Sequence, residues 1–278
     1  YHRTGLYPLP LPSGIGLEAA GTVEAVGPGV ARFKVGDRVA YCSGPAGAYA
    51  EAHVVPAGRA VAVPDGVSLE TAAAALLKGL TAEYLVRRTF HVKLGHTVVI
   101  HSAAGGVGLI LTQWAKAIGA VVIGTVGSQA KAEIAAAHGC DHVLIYGDDR
   151  WAEEVRRLTG GRGAEVVYDG VGQATFDASL SCLAPRGMMV SYGNASGPVP
   201  EIAPLKLGQA SLFLTRPRLF DYVATTEELD EAALALFGMI ASGAVKIEIG
   251  ARFPLDQAAE AHRALESRRT IGSTLLIP

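Results

Sequence analysis

Residues 97 to about 214 predict an α/β fold built on a doubly wound parallel sheet, on two features of the sequence. Apolar runs near 97–101, 120–126, 142–145, 164–169, 187–192 and 211–214 alternate with helical patterns, as strands and helices do in such a sheet. The first run, Thr97-Val98-Val99-Ile100-His101, is β-branched without alternation, as in a strand buried on both faces. It stops at the small residues Ser102-Ala103-Ala104-Gly105-Gly106-Val107-Gly108 and passes into an amphipathic stretch over 109–118, which Gly119 ends. Strand, glycine turn and helix in that order form a βαβ unit.

The turn has a chemical reading. A pyrophosphate at a helix N-terminus needs backbone N–H groups within hydrogen-bond reach, and a Cβ at the closest position would hold it away. Gly105, Gly106 and the adjoining Val107 supply that approach, and Gly108 lets the helix pack closely on its strand. The G-x-G-x-x-G fingerprint is broken at its first position, where Ala103 stands. A glycine turn without a ligand is the competing reading, and the β-α repeat that follows favours the dinucleotide.

The next strand, Val121-Val122-Ile123-Gly124-Thr125-Val126, bears on which dinucleotide. An NAD site carries an acid on the ribose hydroxyls about 20 residues after the glycines. Here Val126, Gly127 and Ser128 occupy that region and Lys131 follows. A hydroxyl, backbone donors and a cation stand where an acid would repel a 2′-phosphate, so the pattern points to NADPH. One charge-assisted contact of this kind is worth about 1.5–3 kcal/mol, roughly ten- to hundredfold in preference. Lys131 alone reads as a solvated surface lysine; taken together with the missing acid it favours the phosphate.

The flanks differ in character. Residues 1–12 are rich in Tyr and Pro and predict an irregular loop, because proline lacks an N–H and disfavours helix before it. Short strands predicted at 16–26, 33–41, 49–55 and 59–63 form a small β-barrel-like domain. Ser68 caps a helix over 72–77, Lys78-Gly79-Leu80-Thr81 interrupts it, and 82–88 resumes it. After Pro217 the pattern gives a helix at 226–242, a strand at 245–251, a helix at 255–267 and a strand at 273–277, a tail returning to the first domain.

The 278 residues are 50% hydrophobic, ample for a substantial core, and carry 24 basic and 26 acidic side chains for a net charge of −2. That balance, without a run of either sign, recommends neither nucleic acid nor an anionic membrane as a partner. No apolar stretch reaches the ~18 residues of a spanning helix and no signal peptide opens the chain, so the cytoplasm is expected. Cys42, Cys140 and Cys182 are scattered and odd in number, which predicts reduced thiols. The chain opens at Tyr1, without methionine, and the reading expects N-terminal sequence to be absent.

Gly36-Asp37-Arg38-Val39, Ala48-Tyr49-Ala50-Glu51, Lys78-Gly79-Leu80-Thr81-Ala82, Ala103-Ala104-Gly105-Gly106-Val107-Gly108, Tyr168-Asp169-Gly170-Val171-Gly172 and Gly272-Ser273-Thr274-Leu275-Leu276-Ile277-Pro278 together resemble the NADPH-dependent quinone oxidoreductases. These are the zeta-crystallin-like branch of the medium-chain dehydrogenase/reductase superfamily, and the likeness runs over essentially the whole chain. It implies a Rossmann doubly wound parallel sheet inserted in a GroES-like β-barrel domain. The expected boundaries are 1–78 for the N-terminally incomplete GroES-like domain, 79–215 for the NADPH-binding domain and 216–278 for the return. Gly170 departs from relatives, which often carry Ser there.

The zinc-dependent alcohol dehydrogenases share this superfamily. Their Gly-His-Glu motif falls at Gly16-Leu17-Glu18, where leucine replaces the histidine ligand, and their cysteine cluster is missing, so no metal is expected. His53, His91, His96 and His101 read as ordinary surface or satisfied buried histidines.

Without a metal, the chemistry implied is hydride transfer from the nicotinamide to a quinone or conjugated enone. By resemblance, Tyr1 and Tyr7 lie at the substrate, positioning it first and supplying a proton second, since an unperturbed tyrosine is a poor acid at neutral pH; packing on the proline loop is the bland alternative. By the same resemblance Tyr146 flanks the adenosine phosphate, Gly193 and Asn194 approach the nicotinamide, Thr81 faces the same cleft from the helix break, and Arg268 is a basic contact from the returning segment. Cap or turn roles compete for each. An alkenal or enone reductase, or NADPH binding without turnover, are the other readings. The apolar run 211–214, placed at a sheet edge, predicts a homodimer.

Overall fold

The computed structural model describes every residue except Tyr1, Thr4, Leu6, Tyr7, Asp148, Asp149, Arg268 and Arg269. Two units are formed, one from residues 1–80, 223–242 and 247–278 and one from residues 81–222 and 243–246. In the first, β1 (Ala19–Thr22), β2 (Arg38–Tyr41) and β3 (Ala60–Ala62) make an antiparallel sheet in that order. The strand predicted at 49–55 is absent. Gly47 N and Ala48 N both donate to Gly16 O and Tyr49 N donates to Ile15 O, so this segment folds back on a loop with Gly16 and Gly47 at positive φ instead of joining a ladder. Helix α1 (Leu69–Tyr84) starts at Ser68, whose Oγ accepts from Thr71 N at 3.0 Å.

The second unit holds β4 (Thr97–His101), β5 (Val121–Val126), β6 (His142–Ile145), β7 (Ala164–Asp169), β8 (Leu183–Ser191) and β9 (Phe213–Thr215). They form one sheet of order β6-β5-β4-β7-β8-β9 with every pairing parallel. Helices α2 (Gly106–Ile118), α3 (Gln129–Ala137), α4 (Arg150–Leu158), α5 (Phe176–Ser181), α6 (Leu205–Gly208) and α7 (Leu219–Tyr222) lie between and after the strands. Gly119 ends α2 at φ 91°, a left-handed cap that glycine adopts freely. One apolar layer is Val99, Ile123, Val167 and Met189 from four strands, packed with Trp151, Phe176 and Leu180. β9 lies at the sheet edge, with Phe213 56% exposed.

The first unit is completed by α8 (Thr226–Ala241), the parallel pair β10 (Ile249–Pro254) and β11 (Ser273–Ile277), and α9 (Ala258–Glu266). A capping box of Thr225 and Glu228 opens α8. The predicted interruption at Lys78-Gly79-Leu80-Thr81 does not occur, and α1 runs through it. Gly79 is there for packing, because a Cβ on it would collide with both δ-methyls of Leu236 on α8. Among the described residues no helix is long and apolar enough to cross a membrane.

Candidate functional site

The strand order places β4 and β7, which leave the sheet's centre in opposite directions, side by side. The crevice at the carboxyl ends of such strands is where this sheet type binds ligands. After β4, Ser102 adopts φ 53°, a left-handed corner held by a residue with a side chain. The chain then turns, Gly105 N donating to Ser102 O at 2.8 Å, and α2 begins. Its N-cap, Gly105, has no side chain to cap the helix, so the first-turn N–H groups of Gly106, Val107 and Gly108, which lack intrahelical acceptors, are the donors a helix N-terminus offers to an anion. A Cβ on Gly105 would stand 3.1 Å from Ser102 O, and one on Gly108 would overlap that same carbonyl. Gly108 therefore fastens the helix closely to its strand, the role read from sequence.

Ala103, at the fingerprint's broken position, is fully buried. Its methyl lies where β5 carries Gly124, 2.8 Å from the position a Cβ of Gly124 would take. The departure is accommodated on the neighbouring strand.

Past β5 no acid appears. Gly127 is exposed and has no atom within 4 Å of where a side chain would begin. Ser128 caps α3, its Oγ accepting from Lys131 N at 3.4 Å. Lys131 sits half-buried in the first turn. Tyr146 follows β6, tied by its N–H to Val126 O at 2.8 Å, and burial pushes its hydroxyl up to about 12, so it stays protonated. Gly127, Ser128, Lys131 and Tyr146 thus share the carboxyl edge of β5 and β6.

A polar network lies beneath these loops. His101 Nδ1 is 2.7 Å from Thr125 Oγ1 and 3.0 Å from Tyr146 Oη, and Nε2 is 2.8 Å from Ser179 Oγ. Asp169, fully buried at the end of β7, accepts from Val171 N at 2.7 Å, Gly172 N at 2.9 Å and Thr175 Oγ1 at 2.7 Å. Burial holds His101 below the ordinary imidazole range against the pull of Asp169, so the ring is neutral. His101 is thus a satisfied buried histidine, as its sequence context allows, and the network that satisfies it is missed from sequence because its partners lie far along the chain. The one local signal is a polar residue closing an apolar strand.

At the end of β8, Tyr192, Gly193 and Asn194 fold over β7. Tyr192 N donates to Asp169 O at 2.8 Å. A Cβ on Gly193 would come within 2.7 Å of Gly170 Cα, so this glycine is required by a backbone-to-backbone approach. Thr81 lies in the unbroken α1 and is buried, not in a helix break. Tyr1, Tyr7 and Arg268 lie outside the described residues. In the first unit Glu18 of Gly16-Leu17-Glu18 accepts from Lys78 Nζ at 3.1 Å and from Leu77 N at 3.3 Å.

The chain is similar to known proteins in sequence and in fold. A family profile described as "Alcohol dehydrogenase GroES-like domain" matches residues 1–65, and one described as "Zinc-binding dehydrogenase" matches residues 106–238. A quinone oxidoreductase of Pseudomonas aeruginosa is 53% identical over 280 residues, spanning 100% of this chain and 86% of that protein. A 2-haloacrylate reductase from a Burkholderia species is 45% identical over 287 residues, again with 100% and 86% covered. The crystal structure of Escherichia coli quinone oxidoreductase complexed with NADPH matches with a TM-score of 0.96 at 49% identity, covering 100% of this chain and 86% of that one. With a Rossmann sheet, a GroES-like segment and this degree of identity, the chain belongs to the quinone oxidoreductase family of the medium-chain dehydrogenase/reductase superfamily.

Proposed function

We infer that the chain is an NADPH-dependent quinone oxidoreductase. The observation that carries this is the carboxyl edge of the sheet: an uncapped helix N-terminus behind a glycine turn, and an acid-free, open corner at Gly127 and Ser128 beside Lys131. These residues fit the cofactor that the E. coli relative holds. Backbone N–H groups of Gly106 and Val107 would take the pyrophosphate, and Gly105, whose own N–H is given to Ser102 O, would leave room for its approach. Ser128, Lys131 and Tyr146 would surround the 2′-phosphate, with Arg268 as a further cation. Gly193, Asn194 and Thr81 would line the nicotinamide side.

When bound, NADPH supplies the hydride. The chain's part is to orient the acceptor, exclude water and receive the charge that develops on the acceptor oxygens with hydroxyl and backbone donors. We assign the positioning of that acceptor to Tyr1 and Tyr7, with proton delivery secondary. A flat, uncharged quinone suits a site that selects by shape and redox potential.

We read the catalysis as zinc-independent despite the name of the matching profile. Leu17 cannot ligate a metal, and the ammonium of Lys78 lies beside the Glu18 carboxylate. Cys42, Cys140 and Cys182 are all unpaired and buried, which supports a reducing compartment, the cytoplasm. The exposed edge strand β9 supports a homodimer.

The test is a panel of quinones, alkenals, haloacrylates and simple ketones assayed with NADPH, on parent protein and on Tyr7→Phe. Quinones are expected to turn over and simple ketones not to. Turnover of conjugated alkenes alone would transfer the assignment to the double-bond reductases, of which the haloacrylate reductase is a relative. Binding of NADPH with no turnover on any acceptor would leave a nucleotide-binding role only.

A further inference from the structure

The polar network runs across the carboxyl edge of the sheet in strand order. Asp169 ends β7, His101 ends β4, Thr125 is on β5 and Tyr146 follows β6, and the sheet order is β7, β4, β5, β6. Ser179 of α5 links the first two, its Oγ lying 3.5 Å from Asp169 Oδ2 and 2.8 Å from His101 Nε2. The carbonyl of Thr175 lies 2.7 Å from Ser179 Oγ.

Counting hydrogens fixes the direction. Ser179 has one hydroxyl hydrogen, and a carbonyl and a carboxylate oxygen, both acceptors, take it. Its oxygen therefore accepts from His101 Nε2–H, and in the neutral ring Nδ1 is left as an acceptor. The hydrogen it accepts comes from a pair of hydroxyls that lie 2.6 Å from one another, Thr125 Oγ1 at 2.7 Å from Nδ1 and Tyr146 Oη at 3.0 Å. The same threonine also accepts at its backbone oxygen from Ala103 N at 3.0 Å. Thr125 thus holds both neighbours of Ser102, His101 by its side chain and Ala103 by its main chain, and Ser102 is the residue at φ 53°.

A left-handed conformation is unfavourable for a residue with a side chain and persists only where its surroundings over-determine it. We propose that Thr125 and His101 are positioning residues that clamp the strained Ser102 corner, and so preset the amides of the phosphate turn for the pyrophosphate. The inference rests on the cofactor reading given above. The relay from Asp169 keeps the His101 ring in one tautomer, with Nε2–H toward Ser179.

The test uses the intact chain and 2′-phospho-ADP-ribose, which carries the pyrophosphate and lacks the nicotinamide, titrated calorimetrically. Thr125→Val keeps the shape and the backbone carbonyl and loses the clamp's hydroxyl; it is expected to weaken binding about tenfold, the scale of one hydrogen bond. Thr125→Ser keeps the hydroxyl and is expected to bind within about twofold of parent. His101→Gln, which retains a donor toward Ser179 without an acceptor at the Nδ1 position, is the second disabling variant, for use should Thr125→Val fail to fold by circular dichroism. Adding Ser102→Gly to either removes the strain and is expected to restore binding to within about threefold. Unchanged affinity in the disabled variants, or no recovery with Ser102→Gly, overturns the clamp. If the parent itself does not bind the probe, the cofactor reading fails instead.

Discussion

The phenol of Tyr192 closes on the open face of Gly170: a Cβ on Gly170 would come within 3.1 Å of both Cζ and Oη of Tyr192, a contact that the ring must relieve by a few tenths of an ångström. The two positions are therefore one steric unit at the ends of β7 and β8. Gly170→Ala is expected to shift the ring by a few tenths of an ångström and to destabilise the protein by about 1 kcal/mol, the low end of the cost of overpacking. In a Tyr192→Ala background the same change should cost markedly less, a coupling of at least about 0.5 kcal/mol in a double-mutant cycle followed by urea denaturation. Additive effects would show that the ring does not depend on the glycine.

Lys131→Ala is expected to raise KM for NADPH about tenfold and to leave KM for NADH within about twofold, since only the 2′-phosphate would lose a charge-assisted partner. Steady-state rates with both cofactors decide it. Equal weakening of the two would remove Lys131 from the phosphate site.

His101 stays neutral in the fold, its burial holding it below the usual imidazole range. The unfolded chain takes up a proton at this residue near pH 6.5 while the folded chain does not. The unfolded state then binds more protons, so stability falls with decreasing pH, by up to about 1.4 kcal/mol per pH unit, from near 6.5 down to the folded pKa and no further. His101→Asn should lack this contribution. Denaturation midpoints of parent and variant between pH 7 and pH 5 are expected to converge as pH falls, and parallel curves would contradict a neutral His101.

Activity is expected to survive exhaustive chelation and dialysis, because Leu17 offers no ligand. Metal analysis of the dialysed protein alongside the assay checks it. A stoichiometric zinc that turnover requires would reverse the reading.

Assembly is expected to involve the edge strand β9. Phe213→Glu places a charge on its exposed position and should shift the light-scattering mass from dimer toward monomer at micromolar concentration. A parent protein that is already monomeric rejects the proposal.

The parallel strands were legible because a strand buried on both faces writes its burial as an unbroken apolar run, as Val98, Val99 and Ile100 do. Gly119 and Ser128 were legible as a stop and a cap for equally local reasons. The break expected at Gly79 was not real, since glycine's helix penalty of about 1 kcal/mol is a local quantity. Close packing on Leu236, far along the chain, decides that position instead. The network around His101 was invisible for the same reason, with partners 24 and 78 residues away.

Ala103 and Gly124 make the site's history directional. Ala103 could become glycine without meeting anything new. Gly124 could not acquire a side chain, because its Cβ would meet both Ala103 Cβ at 2.8 Å and Cys140 Sγ at 2.6 Å. The residue that breaks the motif is thus free to revert, while the one that belongs to no motif is locked in by two neighbours. Among related sequences, a bulkier residue at the first position should be found only where the adjoining strand has already surrendered its side chain, so substitutions must accumulate in that order.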